Sequence, residues 1–141
     1  MQKLSRTESL AFLAEGTRTG KLATVRPDGR PHVAPIWFVV EGDSLVFNTW
    51  HTSVKARNLR GDPRASLVVD YQEPPFGYVI VEGRVEITEN LAEVRRIATV
   101  VGARYMGADR AEEFGARNGV EGELGVRLNI DRIIGRDDIT G

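Results

Sequence analysis

Hydroxyl, aromatic and basic side chains gather in one stretch, Phe47-Asn-Thr-Trp-His-Thr-Ser-Val-Lys-Ala-Arg-Asn-Leu-Arg60. No acidic residue lies between Ser44 and Gly61, while Lys55, Arg57 and Arg60 follow one another closely. The pattern reads as a strand end, a polar turn, a short basic helix and a Gly-Asp-Pro stop. Thr49, Thr52 and Ser53 place hydroxyls just before the helix. A helix N-terminus carries unpaired N–H groups and partial positive charge, so this segment suits a phosphate or carboxylate. The same residues also fit a plain solvated basic helix. Trp50 stands in the turn, where an aromatic ring can cover a planar ligand while Lys55 and Arg57 hold its charged end. His51 is a candidate lining residue because of these neighbours.

Other chemistries find little support. His32 and His51 are far apart and lack a carboxylate at ligand spacing, so no metal site is expected. No Ser-His-acid set, strand-following Gly-x-Gly-x-x-Gly or phosphate-cradling glycine loop stands out. The pairs Glu112-Glu113 and Asp137-Asp138 read as solvated faces. If the chain is an enzyme, a bound cofactor is expected to carry the reaction.

The 141 residues, 41% hydrophobic and 28% charged, match an ordinary globular domain, and we expect one domain over residues 1–141. A net charge of -1 disfavours a general nucleic-acid binder, so any anion site must be local. Cysteine is absent, which excludes disulfides and thiolate chemistry. No apolar signal core or membrane-length run appears, and a cytoplasmic protein without membrane contacts is expected.

Positioning elements follow from local signals. Ser5-Arg-Thr-Glu8 is a capping-box pattern, predicting a helix to about Glu15 that plugs one end of a sheet. Strands are predicted over Lys21–Val25 and Pro31–Val40, joined by the turn Pro27-Asp-Gly-Arg30. Pro31 and Pro35 make the second strand an edge strand or one with a bulge. Its run Ile36-Trp-Phe-Val-Val40 suggests burial on both faces, and Trp37 reads first as a packing residue. Further strands are predicted over Ser44–Thr49, Arg64–Tyr71 and Tyr78–Ile87, with a bulge or close approach at Gly83. A helix follows from Asn90, with Leu91, Val94, Ile97, Ala98, Val101 and Tyr105 at helical period. A short helical piece over Asp109–Arg117, a strand over Leu124–Ile130 and a closing strand at Ile133-Ile134 complete the chain. Six or seven antiparallel strands with two or three outer helices imply a mainly β fold, a closed or nearly closed small barrel.

Several of these segments together resemble the split β-barrel, FMN-binding-like flavin proteins of the pyridoxamine 5′-phosphate oxidase family. The hairpin Leu22-Ala-Thr-Val-Arg-Pro-Asp-Gly-Arg-Pro-His-Val-Ala-Pro-Ile-Trp-Phe38 is similar to the opening of those barrels. Lys55-Ala-Arg-Asn-Leu-Arg-Gly-Asp-Pro-Arg-Ala-Ser-Leu-Val-Val-Asp70 resembles the branch that uses the deazaflavin coenzyme F420. Val81-Glu-Gly83 and Arg127–Asp137 also fit.

The resemblance implies a homodimer with two cofactor sites between subunits. Members that bind flavin mononucleotide (FMN) hold its phosphate partly through a Ser-Arg-Lys triplet, which here reads Ser53-Val54-Lys55, and through a second-strand arginine, here Ala34. No counterpart of the C-terminal substrate-recognition segment is found, so oxidation of pyridoxamine phosphate is not expected. The resemblance therefore implies coenzyme F420, with FMN as the alternative. Thr52, Ser53, Lys55 and Arg57 would bind the anionic tail, Pro35, Ile36 and Trp37 would line the ring, and Asn58 would support the turn. The implied activity is hydride transfer from reduced cofactor to a small unsaturated or quinone-like molecule. A non-catalytic protein binding a flavin, heme or other planar anion is the reading from a different class.

Overall fold

The computed structural model describes residues 2–139. Its elements are β1 (Lys3–Leu4), α1 (Arg6–Ala14), β2 (Gly20–Val25), β3 (Pro31–Ile36), β4 (Val39–Glu41), β5 (Ser44–Trp50), α2 (Val54–Gly61), β6 (Arg64–Asp70), β7 (Phe76–Thr88), α3 (Leu91–Met106), α4 (Ala111–Asn118) and β8 (Glu123–Asp138). A short 3₁₀ turn, Ala108–Arg110, joins α3 to α4.

The local signals explain the starts of these elements. Ser5 Oγ accepts from the Glu8 amide at 3.1 Å, and the Glu8 carboxylate accepts from the Ser5 amide at 2.9 Å. That reciprocal pair is the capping box of α1. The Asn90 side chain accepts from the Glu93 amide at 3.0 Å and starts α3. Asp28 accepts from the Arg30 amide at 3.1 Å, and Gly29 supplies the positive φ that turns β2 into β3.

All strand pairs are antiparallel, in the order β3-β2-β6-β7-β8-β5-β4, with β1 paired to the far end of β8. The terminal strands β3 and β4 are separated in the chain by Trp37 and Phe38 alone. Three Cα steps reach about 11 Å. The two ends of the sheet must therefore meet, and the sheet curls into a split barrel. Phe38, Phe47, Leu22, Leu67, Val81 and Leu128 fill its centre, each at most 1% exposed. Leu13 of α1 enters the same core. A smaller cluster of Val46, Ile97 and Val101 seats α3 against the outside of β5.

The expected second strand over Pro31–Val40 is thus two strands on opposite ends of the sheet. Its apolar run is not buried throughout: Ile36 and Phe38 are buried, but Trp37 is 40% exposed. The chain leaves the ladder at the seam, so Trp37 turns outward. Position β3 is an edge, as its prolines require. The expected closing strand at Ile133-Ile134 is the continuation of β8, which pairs with β7 along most of its length. With β1 and the divided second strand, the described residues contain eight strands, and α2 and α4 bring the α-helices to four. The register of β7 on β8 shifts between Glu82 and Gly83, where a Cβ on Gly83 would collide with the Asn129 carbonyl. The bulge read at Gly83 is present. Leu91, counted in the apolar period of α3, is exposed in its first turn.

Residues near the C-terminal end of α3 hold the seam. Arg104 donates to the carbonyls of Phe38 at 2.6 Å, Leu13 at 2.8 Å and Gly16 at 3.0 Å. The Tyr105 hydroxyl accepts from the Phe38 amide at 3.2 Å and donates to the Arg18 carbonyl at 3.0 Å. Trp37 stacks on the Tyr105 ring, with centroids 4.9 Å apart and planes 4° from parallel. A second polar knot joins β4, α3 and β8. Arg96 forks onto Glu41 at 2.7 and 2.9 Å, and Arg127 reaches the same carboxylate at 2.9 Å. No helix among the described residues is long and apolar enough to cross a membrane.

Tyr105→Phe keeps the ring stack but leaves the Phe38 amide and the Arg18 carbonyl without their partner, so it should cost about 1–3 kcal/mol. A lower urea midpoint with an unchanged slope would show it. At Glu41, the hydrogen bond from Arg96 holds the carboxyl below its ordinary value, with Arg127 adding to the effect and burial opposing it. A lowered folded pKa stabilises above the unfolded glutamate value of about 4.3, and that contribution is lost as pH falls through the folded value. Glu41→Gln should therefore destabilise the protein near neutral pH and flatten the acid limb of a stability-against-pH curve measured by urea unfolding.

Candidate functional site

Strand β5 runs one residue further than its pattern suggests, to Trp50, and a turn over residues 51–53 delivers the chain into α2. Ser53 is the N-cap: its Oγ accepts from the Ala56 amide at 3.2 Å and lies 2.7 Å from Thr49 Oγ1. These two hydroxyls are therefore committed to shaping the turn and starting the helix. Asn58 is buried one turn later, and its amide donates to Thr24 Oγ1 on β2 at 3.0 Å. It fixes α2 to the barrel wall. Thr52 is exposed and makes no hydrogen bond to any described residue. The amides of Val54 and Lys55, first in the helix, have no intrahelical acceptor.

His51 anchors the turn to the loop before β8. Its backbone amide donates to the Gly122 carbonyl at 2.9 Å, and its Nδ1 lies 3.0 Å from the same oxygen. A carbonyl only accepts, so the imidazole hydrogen sits on Nδ1 in this contact. Trp50 packs over Gly122, whose positive φ and lack of Cβ leave room for the ring. The Trp50 and His51 rings lie 4.8 Å apart. Trp50 thus belongs to the junction of β5 with β8, at the strand end rather than inside the turn.

The structure brings Pro35, Ile36, Trp37 and Lys55 to one cleft of about 230 Å³. The seam supplies the first three and the first turn of α2 supplies Lys55. Asn48 of β5 and Glu123 of β8 complete the polar wall, and α3 and α4 close the back with Val101 and Phe114. Trp37 is held on one side by Tyr105 and contacts Phe114 at a tilted 6.3 Å. Lys55 forms no ion pair or hydrogen bond with a described residue. Arg57 projects to the other side of α2, into a hollow of about 380 Å³ with Arg26 and Arg30. Arg60 pairs with Glu89 at 3.6 Å. The three basic residues of α2 thus have three different surroundings. Larger hollows exist, about 450 Å³ above Ser66 and Gly83 and about 760 Å³ beside Phe12 and Tyr71. Convergence of an aromatic wall with a cation that makes no hydrogen bond to a described residue singles out the smaller one.

Glu123, Asn48, Asn118 and Phe114 were not legible as site residues. The acid-free run in the sequence acquires an acid from β8, because Trp50 and Glu123 are partners in the antiparallel register. Burial raises the Glu123 carboxyl above its ordinary range, while Lys55 and then His51 pull it back down. One local signal for the back wall did exist. Gly102 stands in the middle of a helical pattern, and a Cβ there would strike Phe114.

A sheet closed at its seam, with helices packed on its outside, defines a split-barrel protein. The sequence model of the pyridoxamine 5′-phosphate oxidase family matches residues 6–133, and the chain belongs to that family. A conserved hypothetical protein from Mycobacterium tuberculosis is 31% identical, over 92% of this chain and 82% of that one, with a TM-score of 0.79. An F420 reductase is 28% identical, over 86% and 93% of the two chains, with a TM-score of 0.67. A heme storage protein from Vibrio cholerae shares the fold at 19% identity, over 88% and 89% of the chains, with a TM-score of 0.70.

The Asn58–Thr24 contact yields a stability prediction. Asn58→Ala leaves a buried hydroxyl without its donor and should cost about 1–3 kcal/mol, read as a lowered urea midpoint.

Proposed function

We propose that this chain is an F420-dependent oxidoreductase that reduces a small unsaturated or quinone-like molecule, and that it acts as a homodimer. The observation that carries the reading is the Lys55 ammonium, without a hydrogen bond or close ion pair among the described residues, facing the same cleft as Pro35, Ile36 and Trp37. A planar ring with an anionic extension needs one apolar wall and one cation, and this cleft has both. The likeness to an F420 reductase supports the choice of cofactor. A compact phosphate such as that of FMN is best held by two or more cations. In this cleft Lys55 is the one cationic side chain among the described residues, since Arg57 lies across the helix and Val54 replaces the arginine of the FMN-binding pattern.

The residues divide the work. Trp37, pinned by Tyr105 and Phe114, offers a rigid face with little conformational entropy to lose on binding. Lys55 and the free amides of Val54 and Lys55 hold negative charge, Ile36 and Val101 exclude water, and Thr52 is available to hydrogen-bond a ligand. When bound, the reduced cofactor supplies hydride chemistry, and orientation against the acceptor is the protein's contribution. Strand β3 supports the homodimer: it is an unpaired edge, and its Val33 is 66% exposed.

Fluorescence titration of cofactor-free protein with coenzyme F420 and, separately, with FMN tests the reading. Tighter binding of F420 is expected; preference for FMN would move the assignment to an FMN-dependent enzyme of this fold. Binding of neither would leave a different planar anion such as heme. Lys55→Ala should weaken F420 binding by about 1–3 kcal/mol, the range for a charged hydrogen bond. Unchanged affinity in the folded variant would place the site elsewhere.

A further inference from the structure

The cleft that presents Lys55 also presents a carboxylate, which a site built only to attract anions would lack. Glu123 opens β8, opposite Trp50 in the register, and lines the cleft with Lys55, Asn48 and Asn118. Its backbone amide is bonded to the Val120 carbonyl at 3.0 Å, but its side-chain oxygens accept no hydrogen bond from a described residue. The charged and titratable groups facing it are Lys55 from α2 and His51 from the turn. Helix α4 contributes Phe114 and the neutral Asn118, and α3 contributes Ala98, Val101 and Gly102. Among the described residues this half-buried carboxylate has no hydrogen-bond donor, and burial outweighs the pull of the Lys55 ammonium across the cleft.

An anionic ligand group drawn to Lys55 competes for that same ammonium and stands close to Glu123. Two negative charges sharing one cation in a partly dry cleft repel, and protonating the Glu123 carboxyl, which burial already makes a weaker acid, relieves that repulsion. We propose that Glu123 is a specificity-determining residue of the cleft, accepting a proton when an anionic group binds Lys55. The carboxylate thereby sets how much negative charge the cleft accepts at a given pH. This inference rests on the cleft being the cofactor site and deepens that reading.

The direction of the effect is fixed by linkage. Burial already raises the Glu123 pKa in the free protein, and a bound anion raises it further. Proton uptake occurs between the free and bound values, so affinity increases as pH falls through that window. Above it, the wild type keeps the repelling charge. Below it, Glu123 is neutral before the ligand arrives, and the wild type behaves like a glutamine variant.

The test compares wild type and Glu123→Gln by titrating each with coenzyme F420 and with FMN from about pH 5 to about pH 9. The free ligand titrates identically in both experiments, so the ratio of the two affinities reports the loss of the Glu123 charge. The variant should bind roughly five- to tenfold tighter at the alkaline end, an advantage that shrinks as pH falls. Calorimetry in two buffers of different ionisation heat should record proton uptake by the wild type that is lost in the variant. Should the variant fail to fold, absence of uptake by the wild type across the range would overturn the proposal without it. Parallel pH profiles, or uptake undiminished in Glu123→Gln, would also overturn it and leave the cofactor reading standing. Binding of neither ligand to the wild type would remove that reading, and this inference with it.

Discussion

The barrel depends on how the peptide of Phe38 is satisfied. At the seam the chain leaves one end of the sheet and enters the other, so neither ladder partners its N–H and C=O. Buried backbone groups left unpaired there would each cost on the order of 1–3 kcal/mol. Arg104 and Tyr105, consecutive near the end of α3, supply both partners. Burial lowers the Arg104 pKa, but a guanidinium stays charged in proteins and can feed several carbonyls at once. It does so for Phe38, Leu13 and Gly16, which ties the seam to the end of α1. A lysine has no planar fork with which to reach them together.

The cleft inherits its shape from that arrangement. With Phe38 held inside, Trp37 must face outward, and the Tyr105 ring covers one side of it. Glycine then sets the depth of the back wall. Gly102 and Gly115 let α3 and α4 approach until Phe114 and Thr99 occupy the space a Cβ would need. The aromatic wall is rigid because packing, rather than the ligand, already determines its geometry. The polar side is different, since among the described residues Lys55 has no hydrogen-bonded partner and the Glu123 carboxylate has no donor. Preorganised apolar surface beside uncommitted charge is what a site for a planar anion requires.

Much of this was readable from short-range pattern. The caps of α1 and α3, the Asp28-Gly29 turn, the edge position of β3 and the bulge at Gly83 each follow from two to four neighbouring residues. The basic start of α2 was equally plain, and family resemblance connected it to the proline and tryptophan of the seam. The break of the second strand at Trp37-Phe38 was hidden, because an apolar run reads alike whether it crosses a sheet or joins two of its ends. Sorting Lys55 from Arg57 was also hidden, as the barrel decides which side of α2 faces which hollow.

The sequence by itself determined the mainly β class, the four residues that start two helices, and the location of an uncompensated basic segment. Those features rest on hydrogen bonds and periodicities that act within a few residues. The tertiary structure alone decided that Glu123 stands beside Lys55, that Trp50 serves the β5–β8 junction, and that Phe38 is the seam. Each depends on strands or helices distant in the chain, whose register is chosen by burial of the whole core rather than by their neighbours.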